Sequence, residues 1–490
     1  MEYASILPLL ALCPAAAAVA LIVVSRRRPA LRETWSVAAA LAQTAVVAAM
    51  LPSVRAGEVP VWRALSLASG VPLELRADPL GTLFALLASG LWVLTTIYSI
   101  GYVRALDEPA QTRYFASFAL SLVATIGVAL AGNLLTFFCF FELLTVAAYP
   151  LVVHKGTADA AAGGRVYLAY TLTGGAALLG AVAWTYGLAG RLDFVAGGLL
   201  PSDAPAPALW GLFALFVIGC GVKAAVVPLH AWLPVAMVAP TPVSALLHAV
   251  AVVKAGVFGL LRVTGFVFGP DLLAELGAGA ALAALACVTI VAGSLAALAQ
   301  DNLKRMLAFS TVSQLSYVVL GAALAGPDAM AGAVLHIAAH GVLKITLFFC
   351  AGALYIAAHV ERVSEMGGIG RQMPFTMGAF ALAAVLLAGL PPGAAFASKW
   401  RLLAGAADAG AWLAVGALLA STLLSLGYLL PVVVRAFAEP GSGPRHEAPA
   451  AVLVPLLVTA AAGLALGLAP DGLLPALSLA RAVADSVTGR

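Results

Sequence analysis

Charge is the scarcest ingredient of this chain. Of 490 residues only 10% are charged, while 63% are hydrophobic, and the mean hydropathy is +1.04. Soluble domains carry about 25% charged residues, so a soluble fold is excluded and the chain is an integral membrane protein. Cysteine is also sparse: Cys13, Cys139, Cys220, Cys287 and Cys350 stand far apart in apolar runs, with no C-x-x-C pair. That spacing speaks against iron–sulfur, zinc or disulfide chemistry, and small core residues are the simpler reading. The apolar runs lack the period-two alternation of membrane β-strands, which leaves an all-α membrane fold. A formal charge of +4 is too small for this length to suggest nucleic acid or an acidic partner.

What is present is a succession of apolar stretches, most of them near the roughly 20 residues a spanning helix needs. The opening MEYASILPLLALCPAAAAVALIVVSRRR carries its arginines after the apolar run, the reverse of a signal peptide, and reads as a retained first helix. About fourteen transmembrane helices are expected. Some are separated only by a turn, such as Ala131-Gly132-Asn133 or Pro240-Thr241-Pro242, so those neighbours are antiparallel. The largest loops, near 53–78 and 189–207, are short and mixed in composition. The inner loops, led by Arg26, Arg27, Arg28 and Arg32, hold twice as many basic residues as the outer segments. The outer set is Arg55, Arg63, Arg76, Arg191, Arg262, Arg481 and Arg490. By the positive-inside rule both termini are expected on the outer, periplasmic side of a cell inner (plasma) membrane.

A few charges fall where none is expected. Lys223, Lys254 and Lys344 lie within or at the broken ends of apolar runs, Lys399 and Arg401 follow the break in GLPPGAAFASKWRLL, and Glu142 is the single acid deep in a span. His230, His248, His336 and His340 add titratable groups. A charge at the bilayer centre costs at least about 2.5 kcal/mol, so such residues face a polar interior and mark ion pathways. Arg401, near a helix end, reads equally well as a side chain snorkelling to the surface. Four lysines cannot all be neutralised by one carboxylate. Burial lowers a lysine's hold on its proton and a nearby carboxylate raises it, so a lysine with a movable acid partner can exchange protons, whereas an arginine cannot.

Spacing supports a route. His336, His340 and Lys344 follow at i, i+4 and i+8, about 40° apart around a helix, and form one polar stripe. A two-histidine metal site is the rival reading of that pair, but no acid or cysteine nearby completes its shell, so no metal is expected. His248 and Lys254 are six apart and face different sides. Pro228 follows Lys223 in one span, and Pro391 and Pro392 precede Lys399 in another. Paired, proline-interrupted spans in the two halves of a transporter mark its ion site, and backbone freed by a break persists only inside protein or beside a wet cavity. The break near Lys223 is expected to make room for water beside the cation. Residues 1–112 then hold three helices, 113–264 a first five-helix repeat, 265–436 a second, and 437–490 the last helix and a short tail. Glu142 and Lys223 fall in the first repeat, Lys344 and Lys399 in the second.

At these residues the chain resembles a family. The segments VKAAVVPLHAWLPVAMVAPTPVSALLHAVAVVKAGVF (222–258), DNLKRMLAFSTVSQLSY (301–317), HIAAHGVLKITLFFCAGAL (336–354) and GLPPGAAFASKW (389–400) are similar to the antiporter-like subunits shared by respiratory complex I, membrane-bound hydrogenases and Mrp-type cation/proton antiporters. Residues 398–437 look most like the D-type member among the components of the multisubunit sodium/proton antiporters. The resemblance implies fourteen helices, two inverted five-helix repeats and broken helices 7 and 12. It implies Glu142 and Lys223 as the pair of the first half-channel, His248 and Lys254 as connecting residues, Lys344 as a central relay and Lys399 as the terminal exchange residue. Some relatives carry glutamate at the Lys399 position. The long lateral helix of complex I's most distal subunit has no counterpart expected in the short tail, and VERVSEMGGIGRQMP (360–374) is similar to the family's connector before helix 12.

Three functions fit. The first is a proton-translocating subunit of a multisubunit cation/proton antiporter, with sodium the expected cation and other membrane subunits as partners. The second is the same module in a redox-driven complex, an NADH:quinone oxidoreductase-like dehydrogenase or a membrane-bound hydrogenase. The third is a membrane subunit energising inorganic-carbon uptake. No motif for a flavin, nicotinamide or iron–sulfur cofactor is present, so a redox centre would belong to partners. With Glu142 the only deep carboxylate, this chain is expected to carry protons while the cation path lies elsewhere or at a subunit boundary.

Overall fold

The computed structural model describes residues 2–68, 70–439 and 444–489; Arg490, counted above on the outer side, lies outside the described residues. The chain is built from helices in sequence order. The first six are α1 (Ser5–Val24), α2 (Pro29–Arg55), α3 (Pro79–Ala105), α4 (Gln111–Leu130), α5 (Leu134–Val152) and α6 (Ala158–Ala189). Then come α7a (Ala206–Ala224) and its short continuation α7b (Trp232–Val235). They are followed by α8 (Thr241–Phe268), α9 (Ala278–Leu298), α10 (Leu303–Leu324) and α11 (Pro327–Ala358). The last spans are α12a (Pro374–Ala388) and α12b (Ala394–Asp408), then α13 (Trp412–Ala438) and α14 (Ala450–Leu468). Among the described residues thirteen helices are long and apolar enough to cross a membrane, and the divided α12 makes the fourteenth. The fold is that of a multi-pass, all-α membrane protein.

Helix starts follow local chemistry. Asp78, Asn133, Thr157 and Asn302 each accept a hydrogen bond from the backbone N–H three residues on, at 2.8, 2.9, 3.1 and 3.1 Å, as N-caps do. Both expected breaks are present. Pro228 has no N–H to offer the Ala224 carbonyl, and α7a ends there with Ala225 in the left-handed region (φ 58). Protein groups take up the freed backbone. The Trp232 indole donates to the Val222 carbonyl at 2.7 Å, and the Val227 N–H donates to the Thr289 hydroxyl at 3.2 Å. In helix 12, Gly389 (φ 102) ends α12a, and Pro391 and Pro392 separate it from α12b.

A glycine of a neighbouring helix lies on each break. A Cβ on Gly256 of α8 would sit 2.1 Å from the Ala224 nitrogen, and one on Gly467 of α14 would sit 2.0 Å from the Pro392 oxygen. These clashes are with backbone, which has little freedom to move. Gly256→Ala is therefore expected to lower stability by about 1–3 kcal/mol through overpacking, read as a drop in thermal-unfolding midpoint in detergent. An unchanged midpoint would show that α8 has room to retreat.

Three features depart from the sequence reading. The outer loop near 53–78, read from its sequence only as short and mixed, carries a β-hairpin: β1 (Val61–Ala68) pairs antiparallel with β2 (Val71–Arg76) in the register Val61↔Arg76 and Arg63↔Glu74. Arg63 binds Glu74 at 2.7 Å across it. The tail contains a further helix, α15 (Ala476–Thr488), whose apolar side (Leu479, Val483 and Val487) is buried, with the helix packed on α11 and α3. Arg262 is not an outer-segment residue: α8 runs on to Phe268, so Arg262 lies inside it at 1% exposure. Its Nη1 and Nη2 donate to the Asp78 carboxylate at 2.5 and 2.8 Å. A charge near the end of an apolar run reads as a boundary, so the expected span stops at 264, whereas a bidentate carboxylate lets the charge stay inside.

Candidate functional site

The first half of the site lies at the end of α7a. Lys223 is fully buried in its last turn, where the unpaired carbonyls of a helix C-terminus favour a cation. Its Nζ donates to the Phe141 carbonyl, lies 3.5 Å from the centroid of the Phe141 ring, and stands 3.5 Å from the Glu142 carboxylate. Glu142, on α5, differs from every other residue of the proposed path. Its side chain keeps 21% of its surface, on a helix side that also exposes Cys139 and Val146.

The central part is made by α8 and α11. Lys254 is fully buried; its Nζ lies 2.9 Å from His340 Nδ1 and donates to the Ile337 carbonyl at 3.1 Å. The two elements meet here because α8 is widened by a π-helical turn, Leu246–Val250, and kinked at Ala251 (φ −110, ψ −84). Such turns are rare and often occur at functional sites. His248 sits within that turn, its ring tilted by 33° against that of Phe348 at a separation of 4.8 Å.

His336 and His340 share one side of α11, their rings 6.0 Å apart. His336 Nδ1 meets the Ser398 hydroxyl at 2.8 Å, and its ring lies 5.2 Å from that of Tyr317. Lys399, next in sequence to Ser398, lies 5.1 Å from the same Tyr317 ring. Its Nζ donates to the Leu387 and Ala388 carbonyls at 3.0 and 2.9 Å. Those carbonyls are the open end of α12a, so Lys399 answers Lys223: both cations sit on the C-terminal end of the first half of a broken helix.

Lys344 is where the expected stripe divides. Although two turns along α11 from His336, its Nζ reaches α10, donating to the Leu307 carbonyl at 2.9 Å and to the Ser310 hydroxyl. Ser310 belongs to a polar face of α10 with Ser313, Gln314 and Tyr317, spaced at i, i+3, i+4 and i+7. Ser313, Ser294 and Ser421 bond one another at 2.8–3.0 Å, and Gln314 donates to Ser425 at 3.3 Å. Ser310, Ser398 and Tyr317 were missed by sequence reasoning; the helical spacing of the α10 residues was the available signal. Of the other unusual residues, His230 is half-buried in the helix 7 break near Phe309, and Arg401 pairs with Asp328 at 2.6 Å.

A pattern unites the four lysines: each donates to a backbone carbonyl of another helix or half-helix. A carbonyl accepts from an ammonium and, more weakly, from a neutral amine, so the contact that places the nitrogen survives proton loss. Only Lys223 also has a carboxylate. Next to α5, outside the spans, burial brings His154 down to about 4, with Arg113 and Lys155 adding to the effect, so it is neutral at working pH. Burial likewise raises Glu108, 3.8 Å from it, against the pull of Lys155 and Lys304. Among the described residues no three His, Cys, Asp or Glu side chains gather as a metal site would require.

Comparison with known proteins places this arrangement. The family described as NADH:quinone oxidoreductase/Mrp antiporter, transmembrane, matches residues 131–425. The chain is 35% identical over 418 residues to NADH-quinone oxidoreductase subunit N of Desulforudis audaxviator, covering 81% of this chain and 82% of that one. A chain in the structure of the Mrp complex from Dietzia sp. superposes with a TM-score of 0.88 at 25% identity, over 99% of this chain and 98% of that one. A chain of the membrane-bound sulfane sulfur reductase, an archaeal respiratory membrane complex, matches as well, at 0.88 and 26% over the same shares. The helix breaks, the buried lysines and the match along nearly the whole length converge: the chain belongs to the NADH:quinone oxidoreductase/Mrp antiporter family, as an antiporter-like, proton-translocating membrane subunit of an Mrp-type or complex I-like assembly.

Proposed function

We propose that this chain is the proton-carrying subunit of a multisubunit monovalent cation/proton antiporter, with sodium as the exchanged cation. The observation that carries the reading is the make-up of the buried path: lysines and histidines held by carbonyls and hydroxyls, with Glu142 the one carboxylate in reach. Dehydrated sodium needs several oxygens with no competing cation, whereas Lys223, Lys254, Lys344 and Lys399 fill such positions with nitrogen. Protons move here and the cation passes elsewhere in the complex. Residues 113–264 and 265–436 act as two half-channels, Glu142 with Lys223 in the first and Lys344 with Lys399 in the second, linked by Lys254, His340 and His336, and by His248 alongside. Both termini lie on the outer face of the cell's inner membrane, as the distribution of arginines favours. Glu142 also bears on partners: a carboxylate 21% exposed deep in a span is costly against hydrocarbon, so another membrane subunit covers that side of α5.

The test uses everted vesicles bearing the full gene cluster, with a ΔpH dye. Collapse of an imposed gradient by sodium, lost in Lys223→Ala, is the expected result. The second reading, a proton-pumping subunit powered by a redox enzyme, is favoured by the similarity to a quinone oxidoreductase subunit and to a respiratory complex. Acidification driven by an electron donor, with no sodium response, would establish it in place of the first.

A further inference from the structure

Two adjacent glycines, Gly174 and Gly175, stand in the middle of the 32-residue helix α6, where glycine is unfavourable unless space demands it. Both are buried, and each meets a different half of the Glu142–Lys223 pair. A Cβ on Gly174 would lie 3.0 Å from the Cβ of Val222, the residue before Lys223, and 3.2 Å from the Gly219 oxygen. Gly219 answers from α7a, where a Cβ would lie 2.8 Å from that of Leu178. This close approach brings Lys223 to the α5–α6 pair. A Cβ on Gly175 would lie 2.6 Å from the Glu142 carboxyl carbon and 2.7 and 2.8 Å from its two oxygens. The missing side chain of Gly175 is the space the carboxylate occupies.

We propose that Gly175 is a positioning residue for proton transfer: its bare Cα fixes where the Glu142 carboxylate rests and so sets its separation from Lys223. The inference rests on the reading of Glu142 and Lys223 as a proton-handling pair. The geometry makes the role separable from folding. The atoms that a Cβ would meet are the far end of a flexible side chain, not backbone as at Gly256, so the helices keep their places and only the carboxylate moves. Normal carbon contacts require it to retreat by roughly an ångström, a large change for a pair that stands 3.5 Å apart. Lys223, anchored to the Phe141 carbonyl, does not follow.

The experiment is a double-mutant cycle in the full complex, with Glu142→Asp as the second substitution. Aspartate is one methylene shorter and withdraws its carboxylate toward α5, vacating the room an alanine at 175 would need. Gly175→Ala is expected to lower proton flux at least tenfold and to move the pH of half-maximal flux by at least half a unit. Gly187→Ala, on the same helix with open space around it, should do neither. In the Glu142→Asp background the alanine should cost less than twofold. An equal cost in both backgrounds, or none in the wild-type background, overturns the proposal. Should Gly175→Ala fail to assemble, the Gly175→Ala/Glu142→Asp double variant must recover assembly, and its failure to do so also overturns it. Glu142→Gln separates the two levels. If it leaves flux intact, the pair reading itself fails; if it abolishes flux while Gly175→Ala does not, only the positioning role fails.

Discussion

Proton flux through a complex carrying Lys223→Arg is expected to fall about a hundredfold or more, although the positive charge is kept. Arginine holds its proton at least two pK units more tightly than lysine, so a deprotonated side chain becomes about a hundred times rarer. The surroundings offer nothing to offset this. Nζ is packed against the Phe141 ring at 3.5 Å, donates to the Phe141 carbonyl, and faces Glu142 at 3.5 Å. A guanidinium there would form a tighter, permanent pair with the carboxylate and lock the first half of the path. Lys223→Ala should lose flux to a similar degree for a different reason, since it leaves Glu142 without its cation. The measurement is sodium-dependent gradient collapse in everted vesicles, normalised to the amount of assembled complex. If Lys223→Arg retained more than a tenth of wild-type flux, Lys223 would be a fixed charge that organises the site rather than a group that releases protons.

Removing Arg262 should have the largest effect on stability, without the residue having any part in proton transfer. Its guanidinium is 1% exposed, bidentate on Asp78, and surrounded by the rings of Phe194, Phe258 and Phe266 at 5.0–5.1 Å. Arg262→Met leaves the Asp78 carboxylate buried without a counter-ion, at an expected cost of about 3–5 kcal/mol. Breaking one partner of a buried pair is far worse than replacing both. The double variant Arg262→Met/Asp78→Asn should therefore recover most of the loss, because asparagine keeps an oxygen to cap the Gly81 N–H and carries no charge. Thermal unfolding of the purified complex measures both. A single variant within about 1 kcal/mol of wild type would mean that the pair is held together by its neighbours and contributes little.

How much of the site was legible before the fold was known depends on what makes a residue stand out. Lys223, Lys254, Lys344, Lys399 and Glu142 were visible because a charge inside an apolar run has few explanations. Pro228 and the Pro391–Pro392 pair marked both breaks because proline removes a backbone donor wherever it falls. Arg262 was misplaced by the same logic: a charge near the end of an expected span looked like a boundary, and its partner Asp78 lies 184 residues away in the chain. Ser310 and Ser398 were invisible because serine is common in membrane helices, and its hydroxyl usually turns back to its own helix, as Ser425 also does toward Ser421. The β-hairpin was hidden in a loop too short and mixed to show a clear period.

The amino-acid sequence by itself determined that this chain lives in a bilayer, that it crosses as helices, where two of those helices break, and which few side chains place a titratable charge among them. Each follows from composition or from a local backbone rule, and none needs a neighbour. The tertiary structure alone decided what each charge touches. Lys344 turns from the histidines to Ser310 and Leu307, Lys399 closes on the open end of α12a, His340 rather than His248 receives Lys254, and Gly175 leaves the room Glu142 fills. Every residue offers the same carbonyl, and any helix can present any face. Which of them meet is set by the rotation and close approach of whole helices, which no short stretch of sequence records.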